Sequence, residues 1–352
     1  GGRCGLVGAA VVVGGRNAVL RGMFGSIDGD VMRDAETFFL RSALSYPFIG
    51  LYNAGAALFR AQGNSKISML SSLVMNVVNI GGNAVLIYGF GMGVLGAALA
   101  SLVSRAVSCL VVLWLLQRPG CALRVEGLKA LAPNGSLIRR ILRVGIPAGI
   151  ENGMFQIGKL SVSSLTSTLG TAAIAANAVA NTASTFLNIP ANAVGMAALT
   201  VVGQCLGAGE KEQAVYYSRR LLLTAYCGAW VMNLSAFLFA NRFVISLFNL
   251  SPEAQTMALQ VMVWFNFVSL FFWPSSFTLP NILRAAGDAR FTMAVSILSM
   301  WVFRVGFCYL MVLGFHGRLL SIWMGMFLDW VFRSLCFFVR FVRGRWMEQS
   351  VI

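Results

Sequence analysis

Charged residues lie inside several long apolar stretches of the chain, and five of them have types and spacing that could serve a functional site. Glu151 and Lys159 share one stretch, Arg304 lies in a second, and Asp329 and Arg333 lie four residues apart in a third. Where such a stretch crosses a membrane, an ionisable side chain is costly and points to an ion or solute site. A carboxylate at Glu151 could bind a proton or Na⁺, or attract a cationic solute. We therefore predict ion coupling at Glu151 and Lys159.

The same charges also have structural interpretations. Glu151 and Lys159 could form an internal ion pair, or Glu151 could lie near the lipid headgroups. For Arg304, Asp329 and Arg333 we favour a structural charge cluster that holds helices together, in which Asp329 and Arg333 can pair along one helix. Pro147, shortly before Glu151, can loosen the helix and free a carbonyl group for an ion.

Polar side chains recur at helical spacing on three apolar stretches. Steps of three or four residues place each set on one helix face. The sets are Ser72, Asn76, Asn79 and Asn83; Asn152, Gln156, Lys159 and Ser163; and Asn177, Asn181, Ser184, Asn188 and Asn192. These groups could bond packed helices to one another. We predict instead that the amides line a hydrated cavity and contact a polar or cationic solute.

The stretches that carry these residues are long enough to cross a membrane. Hydrophobic residues make up 58% of the chain and charged residues 11%, far from the composition of a soluble domain. A spanning helix needs about 20 apolar residues. Such runs lie at about 37–59, 67–90, 92–117, 144–169, 171–209, 221–241, 254–283, 291–314 and 319–342, with a shorter run near 5–13. We predict an all-α integral membrane protein, a polytopic bundle of about ten transmembrane helices.

One short phrase occurs twice in the chain. ALFRAQGNSKISM at 57–69 returns as NILRAAGDARFTM at 281–293, an offset of 284 − 60 = 224 between the two arginines. Each copy is a glycine-centred polar turn with a cation on either side. Two related halves are a known plan of transporters. We expect two pseudo-symmetric lobes of six helices each, with two helices and about 80 residues ahead of Gly1.

The domain boundaries follow from the repeat and from the charge pattern. We assign residues 1–118 to an incomplete N-lobe, 119–142 to a linker, 143–346 to the C-lobe and 347–352 to a tail. Of the 27 Lys and Arg, against 12 Asp and Glu, most lie in alternate loops, whereas the loops at 88–95 and 168–173 carry no charge. This positive-inside pattern places the linker and the C-terminus in the cytoplasm, at a bacterial inner membrane. Topology explains the positive charge without nucleic acid.

Several catalytic classes lack the residues they need. The chain has one histidine, His316, and no CxxC pair among its seven cysteines. A histidine-based metal site and a Ser-His triad are therefore not available. The chain has no GxxxxGK[ST] sequence, so it carries no ATPase of that type. We expect no enzyme activity, no metal and no cofactor, with H⁺ or Na⁺ as the coupling ion.

Six stretches carry a resemblance to a known family. They lie at 43–69, 76–101, 145–160, 169–180, 202–214 and 284–293. Their order and spacing, with the VGQCLGAG turn that begins at 202, resemble the multidrug and toxic compound extrusion (MATE) transporters. The resemblance implies a secondary antiporter that exports cationic or amphipathic organic compounds in exchange for H⁺ or Na⁺ by alternating access.

The resemblance also singles out two amides. Many members have an Asn in the fifth helix and an Asp four residues later, and the matching positions here are Asn79 and Asn83. Both become candidates for ion coupling by this resemblance, although an amide replaces the usual carboxylate at Asn83. That departure shifts the expected coupling to Glu151 in the C-lobe.

Two alternatives remain open. A flippase for lipid-linked precursors has a similar architecture, and several Arg or Lys in its cavity would favour it, whereas the predicted lining is dominated by Asn and Ser. A truncated fragment that transports nothing is the second alternative. The expected partners are small organic cations or amphipathic drugs, the coupling ion and the lipid bilayer, with the protein a monomer and no nucleic acid bound.

Overall fold

The computed structural model describes residues 29–118, 135–240 and 250–348, together with Ile245 and Phe248. All regular elements in these residues are helices, because a helix satisfies its backbone hydrogen bonds internally. Seven helices of the described part are long and apolar enough to cross a membrane. The all-α membrane fold is thus confirmed, and the count of ten spans is approximate. The predicted run near 5–13 lies outside the described residues.

The chain divides into two compact units, residues 1–132 and 133–352. The division falls within the predicted linker. The helices of the first unit are α1 Gly29–Leu44, α2 Tyr46–Ala61, α3 Ser65–Asn83 with a π-helical continuation Ala84–Gly89, and α4 Gly93–Gln117. The predicted run at 37–59 is divided at Ser45, because Pro47 lacks the N–H that a continuous helix would require and fits the start of a new one.

The second unit contains the longer helices. They are α5 Gly135–Ser167, α6 Thr171–Leu187, α7 Ile189–Gly207, α8 Lys211–Ser235 with its continuation Ala236–Ala240, α9 Pro252–Ala285, α10 Ala289–Ser299 with continuations to Gly314, and α11 Leu319–Val342, followed by a 3₁₀ turn Arg345–Glu348. Residues 135–142, which we assigned to the linker, are helical. The run predicted at 171–209 breaks at Asn188, just before Pro190.

Helix α9 forms the centre of the second unit, where it packs against α6, α7, α8 and α11. Its Phe265 ring contacts Trp323 and Trp330 of α11 edge-on, with ring centroids 6.0 Å and 5.8 Å away. Pro274 lies inside α9 and cannot donate to the carbonyl of Leu270 four residues earlier. The indole Nε1 of Trp230 on α8 donates to that carbonyl at 2.8 Å. The packing thus satisfies a group that the proline leaves free.

The repeated phrase forms the same turn in both units. Gly63 and Gly287 adopt φ angles of 78° and 91°, a left-handed conformation that glycine adopts without steric cost. The next residue in each copy, Asn64 or Asp288, donates its backbone N–H to the carbonyl five residues earlier, at 2.9 Å and 3.0 Å. These are the bonds of a Schellman helix end. The repeat in sequence is therefore also a repeat in structure.

Candidate functional site

Glu151 is buried in the second unit and is paired with an arginine. Its side chain lies on α5, the residue is 6% exposed, and its Oε1 accepts a hydrogen bond from Arg284 Nη2 at 2.6 Å. The ion pair that we considered between Glu151 and Lys159 is therefore wrong. Arg284 belongs to the second copy of the repeated phrase, on α9. The other carboxylate oxygen, Oε2, is buried without a hydrogen-bond partner among the described residues.

A second ion pair joins α11 to the π-helical continuation of α10. Arg304 Nε lies 3.4 Å from Oδ2 of Asp329, and the Ser299 hydroxyl donates to Oδ1 of the same carboxylate at 2.5 Å. Asp329 is fully buried. The structure thus brings Arg304 and Asp329 together across two helices, as a structural cluster requires.

Arg333 departs from the predicted arrangement. It is 3% exposed, and its guanidinium lies over the ring of Phe277, 4.8 Å from the centroid. The ion pairs found among the described residues do not include one between Arg333 and Asp329. A spacing of four residues allows such a pair on one helix. It is not made here, because Asp329 instead faces Arg304 on the neighbouring helix.

A cavity of about 110 Å³ lies next to Arg304. Its wall is made by residues of α5, α6, the continuation of α10 and α11: Lys159, Val162, Ser163, Thr166, Asn177, Asn181, Arg304, Ile322, Trp323 and Met326. The cavity brings together members of two predicted polar sets, on α5 and α6. It also includes Arg304, which we had assigned to a structural cluster, and Trp323, which sequence reasoning missed because a tryptophan in an apolar run gives no distinct signal.

The amides in this cavity have a defined orientation. Asn181 Nδ2 donates to the backbone carbonyl of Asn177 at 2.8 Å and to its Oδ1 at 3.1 Å. Trp323 Nε1 donates to the same Oδ1 at 3.1 Å. Because an indole nitrogen can only donate, the side-chain oxygen of Asn177 must face Trp323. Its Nδ2 points elsewhere and remains a donor.

The other predicted solute contacts on α5, α6 and α7 lie outside this cavity. Ser184 and Asn188 are buried and bond within the helix packing, since Asn188 Oδ1 accepts from the Ser269 hydroxyl at 3.5 Å. The remaining three are exposed: Asn152, Gln156 and Asn192. The structure thus divides the predicted solute contacts into cavity-lining, packing and exposed groups.

The amides of the first unit form a network between α3 and α4. Asn79 Nδ2 donates to the hydroxyls of Ser101 and Ser104 at 3.3 Å and 3.4 Å, and Asn83 Nδ2 donates to Asn79 Oδ1 at 3.1 Å. Asn76 is exposed. These contacts join neutral groups only. The ion-coupling role assigned to Asn79 and Asn83 remains a prediction.

Comparisons with known proteins agree on the family. The MatE family model matches residues 4–85 and 147–310. The probable multidrug resistance protein NorM of Thermotoga maritima is 27% identical over 345 residues, which cover 95% of this chain and 72% of that protein. The uncharacterized transporter YisQ of Bacillus subtilis is 24% identical over 340 residues, 91% of this chain and 71% of that protein.

A solved structure extends the likeness to the fold. The crystal structure of a MATE protein in complex with MaL6 matches with a TM-score of 0.83 at 21% identity, over 97% of this chain and 75% of that chain. The residues that the family model matches include most of the chain and carry the Glu151–Arg284 pair. The resemblance to the MATE transporters is confirmed, and the chain is a multi-pass membrane protein that belongs to the MatE family.

Proposed function

We propose that the protein is a secondary antiporter that exports cationic or amphipathic organic compounds in exchange for H⁺ or Na⁺ by alternating access. Membership of the MatE family supports the transport of organic compounds, as does the likeness to NorM, whose name describes a probable multidrug resistance protein. The observation that carries the coupling step is the buried Glu151 carboxylate, with one oxygen on Arg284 and the other unpartnered among the described residues.

The coupling step follows from the charge on Glu151. A proton or Na⁺ at Oε2 would neutralise the carboxylate and so weaken its attraction to Arg284. Because Glu151 lies on α5 and Arg284 on α9, neutralisation loosens a contact between two helices of the second unit. Departure of the ion restores the pair. Ion binding and helix movement are thereby linked through one salt bridge.

The membrane topology is part of the proposal. The alternate basic loops support a cytoplasmic location for the linker and the C-terminus, in a bacterial inner membrane. The amides of α6 that line the cavity, Asn177 and Asn181, are the proposed neutral contacts of a solute. We propose that the transporter acts as a monomer.

Ethidium efflux from energised cells tests the coupling role of Glu151. We expect Glu151→Gln to abolish efflux while leaving the amount of protein in the membrane unchanged, because an amide keeps the shape of the side chain but cannot gain or lose the charge. Glu212→Gln is the matched control, since Glu212 is an exposed carboxylate in the first turn of α8. That variant should export ethidium as the unmodified protein does.

Two outcomes would contradict the proposal at different levels. Undiminished export by Glu151→Gln would remove Glu151 from the coupling step but leave the antiporter proposal in place. A second outcome would contradict the antiporter proposal itself. In it, cells that contain normal levels of the unmodified protein in the membrane export neither ethidium nor any of a panel of cationic and amphipathic compounds.

A further inference from the structure

We propose that the cavity beside Arg304 binds a compact anionic group, a carboxylate or a phosphate, through Lys159 and Arg304. Both cations line this cavity of about 110 Å³, and its wall contains no carboxylate among the described residues. The proposal concerns what the cavity binds, and it rests on the proposed function only for the statement that the bound compound is exported.

Not every charge near the cavity has a partner of opposite sign. The carboxylates of Glu151, on the same helix as Lys159, and of Asp329 each already pair with one arginine, Arg284 and Arg304. Lys159 takes part in none of the ion pairs found in the described part of the chain. Its side chain is exposed on α5, so the ammonium can reach a ligand in the cavity that it lines. An anionic ligand there would pair with it.

The Arg304 guanidinium contacts the helix that carries Lys159. Phe155 and Lys159 are four residues apart on α5 and therefore share a helix face, and the Arg304 guanidinium lies over the Phe155 ring, 5.1 Å from its centroid. Asp329 approaches Arg304 at Nε. Among the hydrogen bonds found in the described residues, none is donated by the two Nη groups of Arg304, whose ion pair with Asp329 is at Nε. These groups are thus available as donors to a ligand, as is the Lys159 ammonium.

One neutral group in the wall, the Asn177 amide, also suits an anion. The side-chain oxygen of Asn177 accepts from both Asn181 and Trp323, so two hydrogen bonds occupy its two lone pairs. Nδ2 is therefore the group of the Asn177 side chain that remains to bond a ligand, and it can only donate. A carboxylate or phosphate needs such donors, whereas an ammonium group needs acceptors.

The volume of the cavity limits what can enter. The cavity measures about 110 Å³. Sites for whole drug-sized compounds measure roughly 300–1,000 Å³. The cavity therefore holds either a small free anion or the acidic end of a larger amphipathic compound. In the context of the proposed export, the cavity takes the acidic group of an amphipathic compound, and purely cationic compounds such as ethidium bind elsewhere in the protein.

Isothermal titration calorimetry of the purified full chain in detergent tests the proposal directly. Acetate, inorganic phosphate and tetraethylammonium chloride are titrated at constant ionic strength. We expect saturable binding of acetate or phosphate and none of tetraethylammonium. Lys159→Gln should weaken anion binding at least about tenfold, because it removes a charge-assisted hydrogen bond. Lys66→Gln, a change of an exposed lysine in the first unit, should leave the affinity unchanged.

A second titration, with decanoate in place of acetate, distinguishes a small free anion from the acidic end of an amphipathic compound. Tighter binding of decanoate than of acetate would show that the cavity takes the acidic end of an amphipathic compound, and equal affinity would favour a small free anion. Lys159→Arg retains the charge and should restore most of the affinity lost in Lys159→Gln.

The proposal is overturned if neither anion binds saturably, or if Lys159→Gln and Lys66→Gln bind anions equally well. Binding is measured without transport, so the two proposals fail separately. Anion binding by a protein that exports no compound would contradict only the antiporter function. Export of ethidium without anion binding would contradict only the anion site.

Discussion

Arg60 and Arg284 occupy the same position in two copies of one turn, but they contact different groups. Arg60 Nη1 donates to the hydroxyl of Ser68, eight residues later, at 2.8 Å. Arg284 Nη2 donates to the carboxylate of Glu151, 133 residues away in sequence, at 2.6 Å. The turn has kept its backbone in both units, while the arginine serves a local contact in one and an ion pair between helices in the other.

The residue after the turn glycine also contacts a local group in the first unit and a distant helix in the second. Asn64 accepts a hydrogen bond from the Ile67 backbone N–H at 3.4 Å, as the cap of the following helix. Asp288, at the matching position, accepts from Arg340 Nε of α11 at 2.7 Å. The second unit thus ties distant helices together with charges at positions where the first unit uses local polar bonds. This contrast teaches that a shared backbone motif does not fix the role of its side chains.

The largest expected effect is a loss of stability on replacing Arg284, which replacing Arg60 should not match. Arg284→Gln should lower the free energy of unfolding by about 3–5 kcal/mol, because it leaves the buried Glu151 without a charge partner. Arg60→Gln should lower it by less than about 1 kcal/mol, because that arginine is partly exposed and bonds a neutral hydroxyl. Unfolding in sodium dodecyl sulfate, followed by tryptophan fluorescence, measures both.

A double variant checks the cause of that difference. In the Arg284→Gln background, Glu151→Gln should recover part of the lost stability, since it removes the uncompensated charge. Equal losses for Arg60→Gln and Arg284→Gln would show that the contrast between the two copies has no energetic consequence.

Gly63 and Gly287 should contribute equally to stability, because the two turns share one backbone conformation. Gly63→Ala and Gly287→Ala should each cost roughly 1–2 kcal/mol, because a Cβ disfavours the left-handed conformation that both adopt. Gly81→Ala is the control, since it lies within α3 and a Cβ there meets no neighbouring atom. The same unfolding assay applies. A loss for only one turn glycine would contradict the equivalence of the two turns.

The smallest effect is expected in the amide network of the first unit. Asn79→Leu should cost about 0.6 kcal/mol, the average for a hydrogen bond between spanning helices, because it removes bonds to Ser101 and Ser104. Asn76→Leu changes an exposed amide on the same stripe and should cost nothing measurable. Equal unfolding midpoints for the two variants would argue that the network adds no stability.

The fold was largely predictable because hydrophobicity and length determine which segments span a membrane. The prolines also explain where the predicted spans divide, since the breaks at Ser45 and Asn188 come two residues before Pro47 and Pro190. The number of spans was less certain, because two helices joined by such a break can count as one run. Residues 135–142, which we assigned to the linker and which are helical, combine arginines with apolar residues, a pattern that also suits a helix end.

The charge partners were harder to predict than the charges. Spacing along one helix suggested that Glu151 pairs with Lys159 and Asp329 with Arg333. The structure pairs each carboxylate with an arginine of another helix, because the contact depends on how helices pack and on which side chain reaches furthest. Periodicity assigned Lys159, Asn177 and Asn181 to polar faces, but it contained no information on which faces meet.

Pro274 and Trp230 together have a consequence for how α9 could be observed. The Leu270 carbonyl that Pro274 leaves free is bonded by the Trp230 indole of α8, so a bend of α9 at the proline must stretch or break that bond. The indole is 46% exposed, and its emission responds to the loss of a hydrogen bond and to the polarity around it. Trp230 is one of eight tryptophans, and in a variant that keeps it alone, its emission spectrum would report the bending of α9 at Pro274 without an added label.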